Sequence, residues 1–98
     1  MIKVLIVEDS KVVQEFLVHI LTSDPSIKVA GVANNGEEAL EATKQKRPDV
    51  ITMDIHMPKV DGFEATRAIM EIVPTPIVIV TGSLRAKELA SSFRAVEA

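Results

Sequence analysis

Residues 3–10 read Lys3-Val4-Leu5-Ile6-Val7-Glu8-Asp9-Ser10. Four aliphatic residues in a row, three of them β-branched, suit a strand covered on both faces. Two acids and a serine then end the run. The same grammar recurs twice. Val50-Ile51-Thr52-Met53 leads into Asp54, and Ile77-Val78-Ile79-Val80 leads into Thr81. Between these runs the period changes. From Lys11 to Leu21, the residues Val12, Val13, Phe16, Leu17, Ile20 and Leu21 recur at helical spacing, with Ser10 placed to cap the helix. Asn35 caps a second helix and Glu38 completes a capping box; that helix runs to about Lys46 and stops before Pro48. Asp61-Gly62-Phe63-Glu64 opens a third, ending near Ile72 ahead of Pro74, and Ser83 caps a fourth carrying Leu89, Phe93 and Val96. Ile27, Val29 and Gly31 alternate with Lys28 and Ala30, as a strand at a sheet edge would. The resulting β-α-β-α-β-α-β-α order predicts a doubly wound α/β fold: one parallel sheet with right-handed crossovers and helices on both faces.

With 98 residues, the chain suits one domain. Its 47% hydrophobic and 26% charged residues are ordinary for a globular protein. A net charge of −3 and three aromatic residues, all Phe, give no support to direct nucleic-acid binding. The absence of cysteine excludes disulfides, thiolate catalysis and Cys-based zinc sites. No apolar stretch reaches the roughly 20 residues that span a bilayer, and the first residues lead directly into a strand, so a cytoplasmic location without membrane contact is expected. Lys44-Gln45-Lys46-Arg47 reads as the solvated last turn of a helix, favourable with its dipole.

In parallel strands of one sheet, Glu8, Asp9, Asp54 and Thr81 all emerge at the same carboxyl edge, where open α/β sheets bind ligands. Carboxylates crowded there need a counter-charge, because like charges at close range resist joint ionisation. A hard divalent cation such as Mg²⁺, which favours oxygen ligands, supplies it.

Three segments carry a family resemblance. Val4-Leu5-Ile6-Val7-Glu8-Asp9-Ser10, Met53-Asp54-Ile55-His56-Met57-Pro58-Lys59-Val60-Asp61-Gly62 and Ile79-Val80-Thr81-Gly82 resemble the receiver domain of two-component response regulators, in order and spacing along the whole chain. The Asp-x-x-Met-Pro-x-x-Asp-Gly element is the most specific of the three. The wording around Asp54 and Thr81 is most similar to chemotaxis receivers that precede a protein-glutamate methylesterase domain. The resemblance implies a flavodoxin-like sheet of strand order 2-1-3-4-5. It implies that Asp54 accepts a phosphoryl group from a phosphohistidine on a sensor histidine kinase, with Mg²⁺ held by Glu8, Asp9, Asp54 and the backbone carbonyl of His56. Thr81 would hydrogen-bond the phosphoryl oxygen and begin a conformational switch that controls an output domain or downstream protein. On this reading the chain is a regulatory domain rather than an enzyme. The His56 side chain, two residues past the acceptor, is expected beside the phosphoryl group, and His19 on the surface. Met53, Met57 and Met70 are expected as core or loop filler.

The family's fifth strand, with its lysine, and the helix that follows lie past Ala98, and none of Lys59, Arg85 or Lys87 matches that lysine. Residues 1–98 are therefore expected to form a receiver domain cut short at its C-terminal end. The fourth strand then becomes an edge that invites a homodimer or strand exchange. Three alternatives stand beside this one. A Mg²⁺-dependent aspartyl-phosphate hydrolase would carry an acid where His56 stands. A flavodoxin-like cofactor binder would need a Ser/Thr/Gly-rich phosphate loop where Glu8-Asp9-Ser10-Lys11 stands. A degenerate receiver would serve only for docking.

Overall fold

The computed structural model describes residues 1–54 and 62–80. Among them the elements run β1 (Ile2–Val7), α1 (Lys11–Thr22), β2 (Ile27–Ala33), α2 (Gly36–Lys46), β3 (Val50–Met53), α3 (Gly62–Ile72) and β4 (Ile77–Ile79). The strands form one parallel sheet in the order β2-β1-β3-β4, as expected for the doubly wound, flavodoxin-like architecture. The helix expected after Ser83 lies outside the described residues.

Side-chain alternation along β1 divides the core in two. Leu5 and Val7 join Ile51 and Met53 beneath Ala39 of α2 and Ala65 and Ile69 of α3. Val4 and Ile6 face the other way, against Leu17 of α1, with Val13, Val18 and Leu21 around it. A strand covered on both sides must be apolar at every position, which is why residues 4–7 show no polar alternation.

The β2 edge departs from the simple alternation. Val4 pairs with Val29 but Leu5 pairs with Gly31, so Ala30 is an extra residue, a bulge in the ladder. Past it the faces exchange: Ile27 and Val29 pack toward α1, whereas Ala33 joins the α2–α3 side. Gly31 thus does not share a face with Ile27 and Val29; a Cβ there would meet the Lys46 side chain at 3.0 Å. A bulge adds one residue to a period of two, and hydrophobicity alone does not register it.

The caps follow from local chemistry. Ser10 Oγ accepts from the Val13 N–H at 3.4 Å. Asn35 Oδ1 accepts from the Glu38 N–H at 2.9 Å. Glu38 reaches one residue further back than a capping box requires, with Oε1 accepting from the Asn34 N–H at 3.0 Å. At the other end of α2, Arg47 adopts the left-handed region (φ 45°, ψ 61°) and its N–H donates to the Thr43 carbonyl at 3.1 Å. The following Pro48 disfavours right-handed helical geometry at Arg47, so the chain leaves the helix there although no glycine is present. The basic turn Lys44–Arg47 is exposed as expected, and so is His19. Met53 is fully buried, but Met70 is half exposed rather than core, because it lies about 100° around α3 from Ile69, off the face that Gly62, Ala65 and Ile69 bury. Met57 lies outside the described residues.

Candidate functional site

Backbone pairing sets the acids side by side. Val7 is in register with Met53. The ladder continues one residue beyond the strands: the Glu8 N–H donates to the Ala33 carbonyl at 3.0 Å, and the Asp54 N–H to the Val7 carbonyl at 3.0 Å. The Val80 N–H likewise donates to the Met53 carbonyl at 2.7 Å. Three hydrogen bonds therefore lock four neighbouring strand ends at one rim. There, one carboxylate oxygen from each of Glu8, Asp9 and Asp54 lies within 4.8 Å of the others. Glu8 and Asp54 are buried, and Asp9 faces solvent. The structure thus joins three of the expected residues; His56 and Thr81 lie outside the described ones.

Glu8 carries the electrostatic tension of this rim. Burial, the largest influence, disfavours its charged form. The Ser10 N–H, donating to Glu8 Oε2 at 2.9 Å, works in the opposite direction. The neighbouring carboxyl groups of Asp9 and Asp54 add to the effect of burial, and the Glu8 carboxyl is pushed up to about 7 from an ordinary 4.5. Its other oxygen, Oε1, is buried and meets no hydrogen-bond donor among the described residues. An orphaned buried carboxylate oxygen is costly unless a cation meets it. Three carboxylates around it form a hard-oxygen donor set that fits Mg²⁺ or a similar ion.

Two further residues complete the surround, and no sequence motif marks them. The Gln14 side-chain amide donates to the Glu8 carbonyl and, at 2.9 Å, to Asn34 Oδ1. A polar residue in the apolar stretch of α1, one turn after the Ser10 cap, was the available signal.

Comparison with known proteins is consistent across sequence and structure. The response regulator receiver domain family matches residues 4–97. Protein-glutamate methylesterase/protein-glutamine glutaminase 1 of Syntrophus aciditrophicus is 60% identical over 98 residues, all of this chain and 28% of that protein. The homologue of that enzyme in Nitrosospira multiformis is also 60% identical over 98 residues, again 28% of its length. The chain thus spans little more than a quarter of the relatives it matches. Among solved structures, the response regulator domain of Thermotoga maritima CheB is 41% identical with a TM-score of 0.82, covering 99% of this chain and 72% of that one. The CheX-CheY-BeF3-Mg²⁺ complex from Borrelia burgdorferi is 25% identical with a TM-score of 0.77, covering 99% and 90%. None of these matches supports the hydrolase alternative.

Proposed function

The chain belongs to the response regulator receiver domain family, and from that premise we propose that Asp54 is its phosphoryl acceptor and that Glu8, Asp9, Asp54 and the backbone carbonyl of His56 hold Mg²⁺. The observation that carries the proposal is the convergence of one carboxylate oxygen from each of Glu8, Asp9 and Asp54 within 4.8 Å, with Glu8 Oε1 buried and without a hydrogen-bond donor among the described residues. Bound Mg²⁺ supplies the positive charge that offsets repulsion between a carboxylate and an anionic phosphoryl group.

The chain's own residues do the rest. The Asp54 backbone is fixed through its N–H to the end of β1 and its side chain is buried, so its carboxylate is held at the rim. A carboxylate oxygen of Asp54 bonds to phosphorus as the P–N bond of a donor phosphohistidine breaks. The imidazole nitrogen keeps the bonding electron pair and takes up a proton. The product is an acyl phosphate. Thr81 hydrogen-bonds a phosphoryl oxygen and initiates the switch. The donor is a sensor histidine kinase, and the receiver works in the cytoplasm. The output, by analogy with the methylesterase relatives, is a chemotaxis methylesterase domain outside this chain. No helix among the described residues is long and apolar enough to cross a membrane.

The test is labelling with acetyl phosphate in the presence of Mg²⁺. The expected result is one acid-stable, hydroxylamine-labile phosphoryl group per chain, absent in Asp54→Asn and after EDTA. Undiminished labelling of Asp54→Asn would move the acceptor elsewhere.

A further inference from the structure

Asp9 is the exposed member of the acidic cluster, so the core does not pack its side chain into place. Its placement depends on the two peptide planes that meet at its Cα. Each plane is rigid, and holding one atom of it restrains the rest. The plane between Asp9 and Ser10 is held by the Ser10 N–H, which donates to Glu8 Oε2 at 2.9 Å. The plane between Glu8 and Asp9 is held by Gln14, whose amide donates to the Glu8 carbonyl. The same Gln14 nitrogen donates to Asn34 Oδ1 at 2.9 Å. Asn34 is anchored in turn: its N–H and its side-chain nitrogen both donate to Glu38 Oε1, at 3.0 and 3.1 Å. Glu38 is fixed on the first turn of α2 by the Asn35 cap, at 2.9 Å. A continuous set of hydrogen bonds therefore runs from the start of α2, through the segment after β2, to the peptide that carries Asp9.

We infer that Gln14 is a positioning residue: it orients the Glu8–Asp9 peptide so that Asp9 meets the cation, with Asn34 fixing the rotamer of the Gln14 amide. This rests on the Mg²⁺ reading above. A structural alternative is that Gln14 merely ties α1 to the sheet. The two roles separate experimentally, because a tie stabilises the whole domain whereas a positioning residue acts at residues 8–10.

Gln14→Met keeps side-chain length and helix propensity and removes both donors. Asn34→Ala, at an exposed position, removes the orienting acceptor without touching α1. Calorimetric Mg²⁺ titration should show about tenfold weaker binding for Gln14→Met, the scale seen when a group that orients a metal ligand is lost. Asn34→Ala should weaken binding less, and the double variant should bind no worse than Gln14→Met alone. In metal-free protein, amide exchange should accelerate at Ser10 in Gln14→Met while Leu5 and Ile6 keep their protection. Unchanged Mg²⁺ affinity, or acceleration shared equally by Ser10 and the core amides, would overturn the inference. Failure of the unmodified protein to bind Mg²⁺ would refute the metal reading alone, and exchange at Ser10 would still decide whether Gln14 holds this peptide.

Discussion

Replacing Glu8 by glutamine should make the metal-free protein more stable above neutral pH, although it removes a proposed metal ligand. The native carboxyl titrates at about 7, the unfolded one near 4.5. Between those values the native state holds a proton that the unfolded state has lost. Stability therefore falls as pH rises, with a limiting slope of about 1.4 kcal/mol per pH unit and a total of at most about 3.4 kcal/mol. Above about 7 the loss is complete; below about 4.5 it is absent. Glutamine has no proton to lose. Its carbonyl can still accept from the Ser10 N–H, and its NH₂ can donate toward the neighbouring carboxylates. Urea unfolding in EDTA at pH 5, 6, 7 and 8 would measure both proteins. The parent should lose stability along the series relative to Glu8→Gln, and the gap between them should widen by about 2–3 kcal/mol by pH 8. Saturating Mg²⁺ should restore the parent much more than the variant, since a cation that binds only the native state stabilises it by mass action. Parallel pH profiles for the two proteins in EDTA would refute the reasoning, because they would mean that Glu8 ionises in the native state as readily as in the unfolded chain.

Asp9→Asn should weaken Mg²⁺ binding by roughly tenfold or more in calorimetry while leaving urea stability in EDTA unchanged or raised, since it removes a charged oxygen ligand and a like charge together. Ile69→Ala, at a fully buried position against β3, should cost about 2–5 kcal/mol in urea unfolding by leaving a cavity. Arg47→Gly should stabilise by up to about 1 kcal/mol in the same assay, because glycine accepts the left-handed C-cap conformation without penalty.

Most of the architecture was legible because it rests on short-range rules. The unbroken aliphatic run Val4–Val7 could satisfy itself only between two helical layers, and Val50–Met53, apolar but for Thr52, follows it beside β1. Ser10, Asn35 and Pro48 set helix limits that the structure reproduces. The acidic cluster was legible for a related reason: in a parallel sheet, residues that follow strands share an edge, so Glu8 and Asp54 met once the strands were recognised. What resisted reading depends on partners distant in sequence. The Ala30 bulge follows from pairing with β1, and Ala30 itself looks like any other alanine. Gln14 gains its meaning from Asn34, 20 residues later. Met70 has the composition of a core residue, and only its angular position on α3 exposes it.

The division of the core by β1 bears on timing as well as stability. Val4 through Val7 are gripped from both sides, so among the described residues this strand should be the last to release its amide hydrogens to solvent. Glu8 and Asp9 continue directly from it. A carboxylate mounted on the slowest-opening segment keeps its address through the millisecond excursions that regulatory proteins undergo. The acidic end of β1 would act as the stationary coordinate against which each arrival and departure of a phosphoryl group is registered.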